Sequence, residues 1–197
     1  MTHIFLETGK STTSEAVFIS TLVKMCGFDS ALNVLNYVNG YKNLIHLIPT
    51  LQAYGAEGNK NVIIFDADRT ENNGGFLQRK QEISLLLKKH HVQADVFLFP
   101  NNQADGDFET LIEQLIIKEK HRKWLDCYGD YENCLGDDYV HPNLKGKLFT
   151  YISAMKMKNS QRKKLGNGEW MFDNNTYWNL NSEALRPLKA FLSKNCS

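Results

Sequence analysis

The 197-residue sequence has no long apolar run, no closely spaced cysteine pair and no excess of one charge. No stretch approaches the roughly 20 apolar residues that a bilayer-spanning helix needs, so we predict no membrane contact. The four cysteines lie far apart, and no signal sequence opens the chain, which together predict reduced thiols in a cytoplasmic protein. The formal net charge of +1 does not indicate a nucleic-acid partner, although a local basic patch is compatible with one.

Apolar runs and amphipathic stretches alternate through the first 120 residues. Strands are predicted at residues 4–6, 31–38, 62–65 and 94–99. Helices are predicted at residues 14–26, 44–54, 76–90 and 107–117. This alternation implies an α/β fold, Rossmann-like with three layers and a four-stranded, mostly parallel sheet.

The pattern changes at about residue 121, where the strand–helix alternation ends. We predict that residues 1–120 form the α/β domain and that residues 121–197 form an aromatic-rich, mostly helical extension packed on it. A basic helix is predicted over residues 145–158. Pro49 predicts a kink or a new start within the second helix, and Pro187 predicts a weak point in the last one.

The stretch NVIIFDADR, residues 61–69, is apolar at consecutive positions before two aspartates. Such a run is typical of a strand that is buried on both faces. Asp66 and Asp68 are two residues apart, so they point the same way if the extended geometry persists. Their mutual repulsion is tolerable if a cation lies between them or if one carboxyl is protonated. On this stretch alone, a turn or capping pair and a cation site have similar weight.

Other acids follow two further strands. Glu7 comes directly after the first strand, and Asp107 and Glu109 follow the fourth, where they also suit a helix N-terminus. The carboxyl ends of parallel strands lie along one edge, which is where such sheets bind ligands. Carboxylates without histidine or cysteine partners favour Mg²⁺ or Mn²⁺, and Mg²⁺ favours phosphoryl chemistry.

The sequence LETGK after the first strand, the DxD after a buried strand and the later FPNNQADGDFETLIEQL together resemble the Toprim domain. That domain is shared by topoisomerases, bacterial primases and the overcoming-lysogenization-defect nucleases. The chain looks most similar to a bacterial Toprim-related family, and its GDFE stretch is similar to a segment of those nucleases. The resemblance covers about residues 1–120 and implies a Toprim-like fold with a magnesium-dependent, nuclease-like site acting on DNA or RNA.

The resemblance also implies roles for individual residues. It makes Glu7 a general acid/base or a metal ligand, and Asp66 and Asp68 metal ligands. It makes Asp107 and Glu109 ligands of a second ion. A lysine nearby in the family suggests that Lys10 contacts a phosphate, although a solvated lysine is the simpler interpretation.

One departure from the family concerns the turn after the first strand. Many members carry an acid four residues after the glutamate, where this chain has Ser11, and Thr8 intervenes before the glycine. Glu15 could replace that acid only through a different geometry. This departure argues against a complete two-metal site.

Two other functions remain open. FDADRT at residues 65–70 resembles the haloacid-dehalogenase phosphatases, in which Asp66 would be the nucleophile and Asp68 the acid/base, with residues 136–138 as a later acidic motif. Against this, two strand–helix units precede the DxD strand, and residues 137–138 follow no apolar strand. The third function is non-catalytic: a Toprim-fold module that binds nucleic acid or a protein.

The basic run at residues 156–164 has two interpretations as well. It is either a solvated surface or a track for a phosphate backbone, with Trp170 stacking on bases. We favour the solvated surface. Most aromatic residues of the C-terminal part are predicted to serve packing.

Overall fold

The computed structural model describes residues 1–197 and shows an α/β fold with a single four-stranded sheet. The strands are β1 (Thr2–Leu6), β2 (Asn33–Tyr37), β3 (Lys60–Asp66) and β4 (Asp95–Phe99). Their order is β2-β1-β3-β4, and every neighbouring pair is parallel. The predicted Rossmann-like arrangement is confirmed, and the sheet is entirely parallel rather than mostly so.

Eight α-helices accompany the sheet. Those of the first part are α1 (Ser14–Met25), α2 (Ile48–Ala56), α3 (Phe76–Lys89) and α4 (Phe108–Glu113). Those of the second part are α5 (Lys118–Leu135), α6 (Leu144–Ala154), α7 (Asn159–Arg162) and α8 (Arg186–Asn195). Short 3-10 turns occur at Tyr41–Leu47, Thr70–Asn72, Gly136–Asp138, Leu165–Asn167 and Glu183–Leu185. No helix combines the length and the apolar character that crossing a membrane requires.

The predicted helix boundaries differ from the structure mainly at prolines and at the ends. The second predicted helix is a 3-10 turn followed by α2, and Pro49 lies in the first turn of α2. Pro187 likewise lies in the first turn of α8 and does not weaken it. Proline is tolerated there because the N–H groups of a first turn have no partner within the helix. The basic helix, α6, ends at Ala154 rather than at residue 158.

The two faces of the sheet carry separate hydrophobic cores. Ile4, Leu6, Val62 and Ile64 belong to the larger core, together with residues of α1, α4, α6 and α8. The smaller core lies on the opposite face, where alternate residues such as Phe65 pack with α2 and α3. Since successive side chains of a strand point to opposite faces, the consecutive apolar residues of β3 serve both cores.

Residues 121–197 contribute to the larger core. Phe191 of α8 lies 5.3 Å from Phe97 of β4 between ring centroids, and Trp178 is fully buried. Trp170 is only 3% exposed, and its Nε1 donates a hydrogen bond to the Leu165 carbonyl. The interpretation of Trp170 as a base-stacking residue is therefore wrong.

Candidate functional site

One cleft at the carboxyl edge of the sheet gathers four carboxylates. Glu7 follows β1, Asp66 ends β3, Glu15 lies in the first turn of α1 and Glu109 in the first turn of α4. Together with Lys145 at the start of α6, they line a cavity of about 220 Å³, hereafter the carboxylate cleft. Three of the predicted acids therefore meet, along with one acid and one lysine that were not predicted.

Glu7 is held by two backbone donors. Its Oε1 accepts a hydrogen bond from the Tyr41 N–H and its Oε2 accepts one from the Asp66 N–H, each at 3.1 Å. These bonds fix the direction of the carboxylate. Burial raises the pKa of Glu7, and the two N–H donors partly oppose that rise because they favour the charged form.

Asp66 lies at the centre of the cleft. Its Oδ1 accepts a hydrogen bond from the Phe108 N–H at 2.8 Å, while no protein group donates to its Oδ2. Burial raises the pKa of Asp66 well above its ordinary value, and the negative charges of Glu15, Glu7 and Glu109 add to the rise.

Glu15 is the acid that sequence reasoning set aside. Thr13 caps α1 by accepting a hydrogen bond from the Ala16 N–H at 3.3 Å, and the first turn of the helix lies against the cleft. The Glu15 side chain is buried, and its Oε1 has no hydrogen-bond partner. Burial, followed by the charges of Glu7 and Glu109, raises the pKa of Glu15 to about 8. The helix start at Ser14 was the available signal for this position.

Glu109 and Lys145 form an ion pair in the cleft. Lys145 Nζ lies 3.5 Å from Glu109 Oε1. Burial raises the pKa of Glu109, and the lysine charge partly offsets that rise. Nothing in the sequence pointed to Lys145, since it lies in the C-terminal part, far along the chain from the other cleft residues.

Asp107 caps α4 and does not line the cleft. Its Oδ1 accepts hydrogen bonds from the Thr110 N–H at 2.7 Å and from the Thr110 hydroxyl at 2.6 Å. Such a capping box satisfies N–H groups that would otherwise have no partner at the helix start. The prediction that Asp107 is a metal ligand is therefore corrected: its Oδ1 caps α4, and Asp107 does not line the cleft.

Asp68 is also directed elsewhere. Its φ is +60°, so the extended geometry that would align it with Asp66 ends before it. Its Oδ2 lies 2.6 Å from Nη2 of Arg79, a side chain that is only 1% exposed, and Asp68 does not line the cleft. The prediction that Asp66 and Asp68 form one acidic pair is wrong because this arginine binds the second aspartate.

The Arg79 guanidinium links Asp68 indirectly to Glu7. It stacks on the Tyr41 ring at 3.3 Å from the centroid and also contacts Glu82 at 2.9 Å. The backbone N–H of the same tyrosine donates to Glu7. The buried arginine therefore helps to hold the loop that orients the first acid of the cleft.

A model of the family described as "Protein of unknown function (DUF3226)" matches residues 12–197. The chain belongs to this family. No curated protein and no solved structure matches it. The DUF3226 match includes Glu15, Asp66, Glu109 and Lys145, whereas Glu7 precedes it.

The carboxylate oxygens in the cleft of this DUF3226 protein are the type of ligand that a hard cation binds. They are not arranged as a complete metal site. No group of three or more histidine, cysteine, aspartate or glutamate side chains is arranged to hold a metal ion. The donors in the cleft are nevertheless all oxygens, and Glu15 Oε1 is buried without a partner. A divalent cation would satisfy both features. Lys10 is exposed and lies outside the cleft.

Proposed function

We propose that the carboxylate cleft binds Mg²⁺ or Mn²⁺ and that the protein is a nuclease-like enzyme of phosphoryl transfer on nucleic acid. The observation that carries this proposal is the convergence of Glu7, Glu15, Asp66 and Glu109 on one cleft that contains a single lysine. Burial raises the pKa values of all four carboxylates, so a further positive charge in the cleft would favour their ionised forms.

The free oxygens indicate which residues would hold the ion. Both oxygens of Glu7 already accept a backbone hydrogen bond, whereas Glu15 Oε1 and Asp66 Oδ2 accept none from the protein. Glu15 and Asp66 are therefore the principal ligands in this proposal, and Glu7 completes the shell or handles a proton. A bound ion would neutralise charge on a phosphodiester, which the cleft alone would repel.

The Toprim resemblance supports the same assignment. It implies an acid after the first strand and another after the third, and Glu7 and Asp66 occupy those positions. The second acid that it implies near the first strand is missing from residue 11, but the Glu15 carboxylate lies in the same cleft. In this proposal Glu15 takes the place of that acid from the first turn of α1.

The phosphatase alternative fits the geometry less well. It needs Asp68 beside Asp66 as acid/base, but Asp68 is paired with Arg79 outside the cleft. The acidic motif at residues 136–138 forms an exposed 3-10 turn and does not line the cleft.

Ion binding is the first test. Calorimetric titration with Mn²⁺ should give a saturable signal that Asp66→Asn weakens by about tenfold or more, since removing one charged ligand from a small site has an effect of this order. Asp137→Asn is the matched control, because it removes the same charge from an exposed turn. No binding of Mn²⁺ at millimolar concentration would leave only the non-catalytic function.

Activity is the second test. Single- and double-stranded DNA and RNA are incubated with Mg²⁺ or Mn²⁺, and cleavage is expected to disappear in Asp66→Asn, Glu15→Gln and Glu7→Ala. Hydrolysis of a small phosphate ester that Asp66→Asn abolishes and Glu7→Ala leaves intact would instead support the phosphatase.

A further inference from the structure

A second cavity, of about 640 Å³, lies at the opposite end of α6 from the carboxylate cleft. Lys145, at the start of α6, contacts Glu109 in the cleft, whereas Ala154, at its end, lines this second cavity. Nine residues of α-helix span about 14 Å. The rest of the lining comes from the first half of α5, from residues 155–156 just after α6 and from residues 176–177. We name this cavity the basic pocket, after the lysines Lys120, Lys123 and Lys156.

The charge of the basic pocket is uncompensated. Lys120, Lys123 and Lys156 are exposed, and none of them forms an ion pair. No aspartate or glutamate lines the cavity. Because the whole chain has a net charge of only +1, this is a local concentration of positive charge, opposite in sign to the cleft. An anion is the ligand that such a surface favours.

The lining also includes the aromatic side chains of Trp124 and Tyr177, which are held in place. Trp124 is half-buried, and Tyr128 stacks on it with centroids 5.0 Å apart and planes 22° apart. The Tyr177 hydroxyl donates to the Lys156 carbonyl at 2.7 Å, and His121 Nε2 donates to the Thr176 carbonyl at 2.8 Å. The rings are therefore fixed before any ligand arrives, which lowers the entropy lost on binding.

We propose that the basic pocket binds an unpaired nucleotide of a nucleic-acid strand whose phosphodiester lies in the carboxylate cleft. This inference rests on the proposed function. The ligand must offer a flat aromatic group to Trp124 and Tyr177 together with negative charge to the three lysines. A base with its flanking phosphates has both, whereas the bases of a duplex are stacked on one another and unavailable. The substrate class is therefore single-stranded.

Binding to the basic pocket alone is tested on the intact chain in EDTA, because without metal the cleft repels the strand and does not contribute to the affinity. A short fluorescein-labelled oligothymidylate is titrated by fluorescence polarisation against the triple variant Lys120→Gln/Lys123→Gln/Lys156→Gln. Affinity should fall by about tenfold or more, and the slope of log K against log salt should fall by up to about 2, because each phosphate contact with a single strand contributes about 0.7.

The matched control removes the same charge elsewhere. Lys24, Lys42 and Lys89 are exposed lysines that do not line the pocket and form no ion pair. Their triple change to glutamine should leave the affinity within about twofold, because distant surface charges are screened. Equal losses in both triple variants would show attraction by net charge alone and would overturn the inference.

The aromatic contribution is tested separately. Trp124→Leu should weaken oligothymidylate binding by about tenfold, while Trp124→Phe should keep most of the affinity, since both stacking and packing on Tyr128 persist. Trp170 and Trp178 are buried, so quenching of tryptophan fluorescence by the oligonucleotide should come from Trp124. If Trp124→Leu does not fold, Trp124→Phe still tests the stacking contribution, and a loss of binding in this folded variant would contradict the prediction.

The outcomes separate this inference from the proposed function. The inference about the basic pocket would be overturned by any of three results: an unchanged affinity in the lysine triple variant, an equal affinity for duplex DNA, or displacement of the oligonucleotide by polyglutamate. Each of these results would count against the pocket even if metal-dependent cleavage is observed. Pocket-dependent binding of the single strand without any cleavage would support the pocket and refute the catalytic proposal.

Discussion

Replacing Glu15 by glutamine should stabilise the metal-free protein at alkaline pH. The pKa of Glu15 is raised from 4.5 to about 8, so between these values the folded chain keeps a proton that the unfolded chain has released. Stability therefore falls as the pH rises through this window and stays low above it. Glutamine resembles the protonated side chain in shape and cannot ionise, so the variant avoids this loss.

The stability difference between the two proteins follows from the width of the pH range between the two pKa values. One pH unit corresponds to about 1.4 kcal/mol, which gives an upper bound of about 5 kcal/mol at pH 8. Local relaxation and water entry reduce it, and we expect Glu15→Gln to be more stable than the wild type by about 2–5 kcal/mol there. The two proteins should have nearly equal stability at pH 5. For a chain of this size the difference at pH 8 corresponds to a rise in Tm of about 5–15 °C.

The assay is urea unfolding followed by circular dichroism in EDTA at several pH values from 5 to 8. Glu119→Gln is the matched control, because Glu119 is exposed and lies in the first turn of α5, just as Glu15 lies in the first turn of α1. The control should change stability by less than about 0.5 kcal/mol at every pH. A Glu15→Gln protein that is less stable than the wild type at pH 8 would refute the reasoning.

Added Mn²⁺ extends the same experiment to the proposed function. An ion that binds only the folded state should stabilise the wild type at pH 8, and this gain should shrink in Glu15→Gln. Equal stabilisation of both proteins would place the ion away from Glu15.

Three further predictions concern other parts of the molecule. Arg79→Met should lower the free energy of unfolding in urea by about 1–3 kcal/mol, because its charged hydrogen bonds are lost, and an unchanged midpoint would contradict this. Gly168→Ala should destabilise by about 3 kcal/mol or more, since φ is +74° and a Cβ would overlap the backbone at residues 13–14, whereas Gly166→Ala, with open space around it, should be tolerated. Cys196, whose pKa burial raises to about 11, should react with a thiol reagent at pH 8 far more slowly than the exposed Cys127.

The contrast between Asp66 and Asp68 shows where sequence reasoning fails. Both follow the same buried strand, and spacing alone predicts that they point together. Asp66 keeps the geometry of β3 and reaches the cleft, but Asp68 adopts a φ of +60° and pairs with Arg79. The direction of a side chain beyond a strand end depends on the local backbone and on its partner, and neither is visible in the spacing.

The α/β class, the four strands and the positions of Glu7 and Asp66 at strand ends could be predicted from the residue pattern alone. Hydrophobic periodicity and the apolar run of a buried strand are local signals, which can be recognised in a short stretch without knowledge of the rest of the chain. The composition of the cleft depends on tertiary packing. Glu15 and Lys145 reach it from the starts of two helices, because packing on the sheet brings distant helix ends to one edge. The location of the site at this edge of the sheet could therefore be predicted from the sequence. The helix residues that complete the site could not, because their positions depend on how the helices pack.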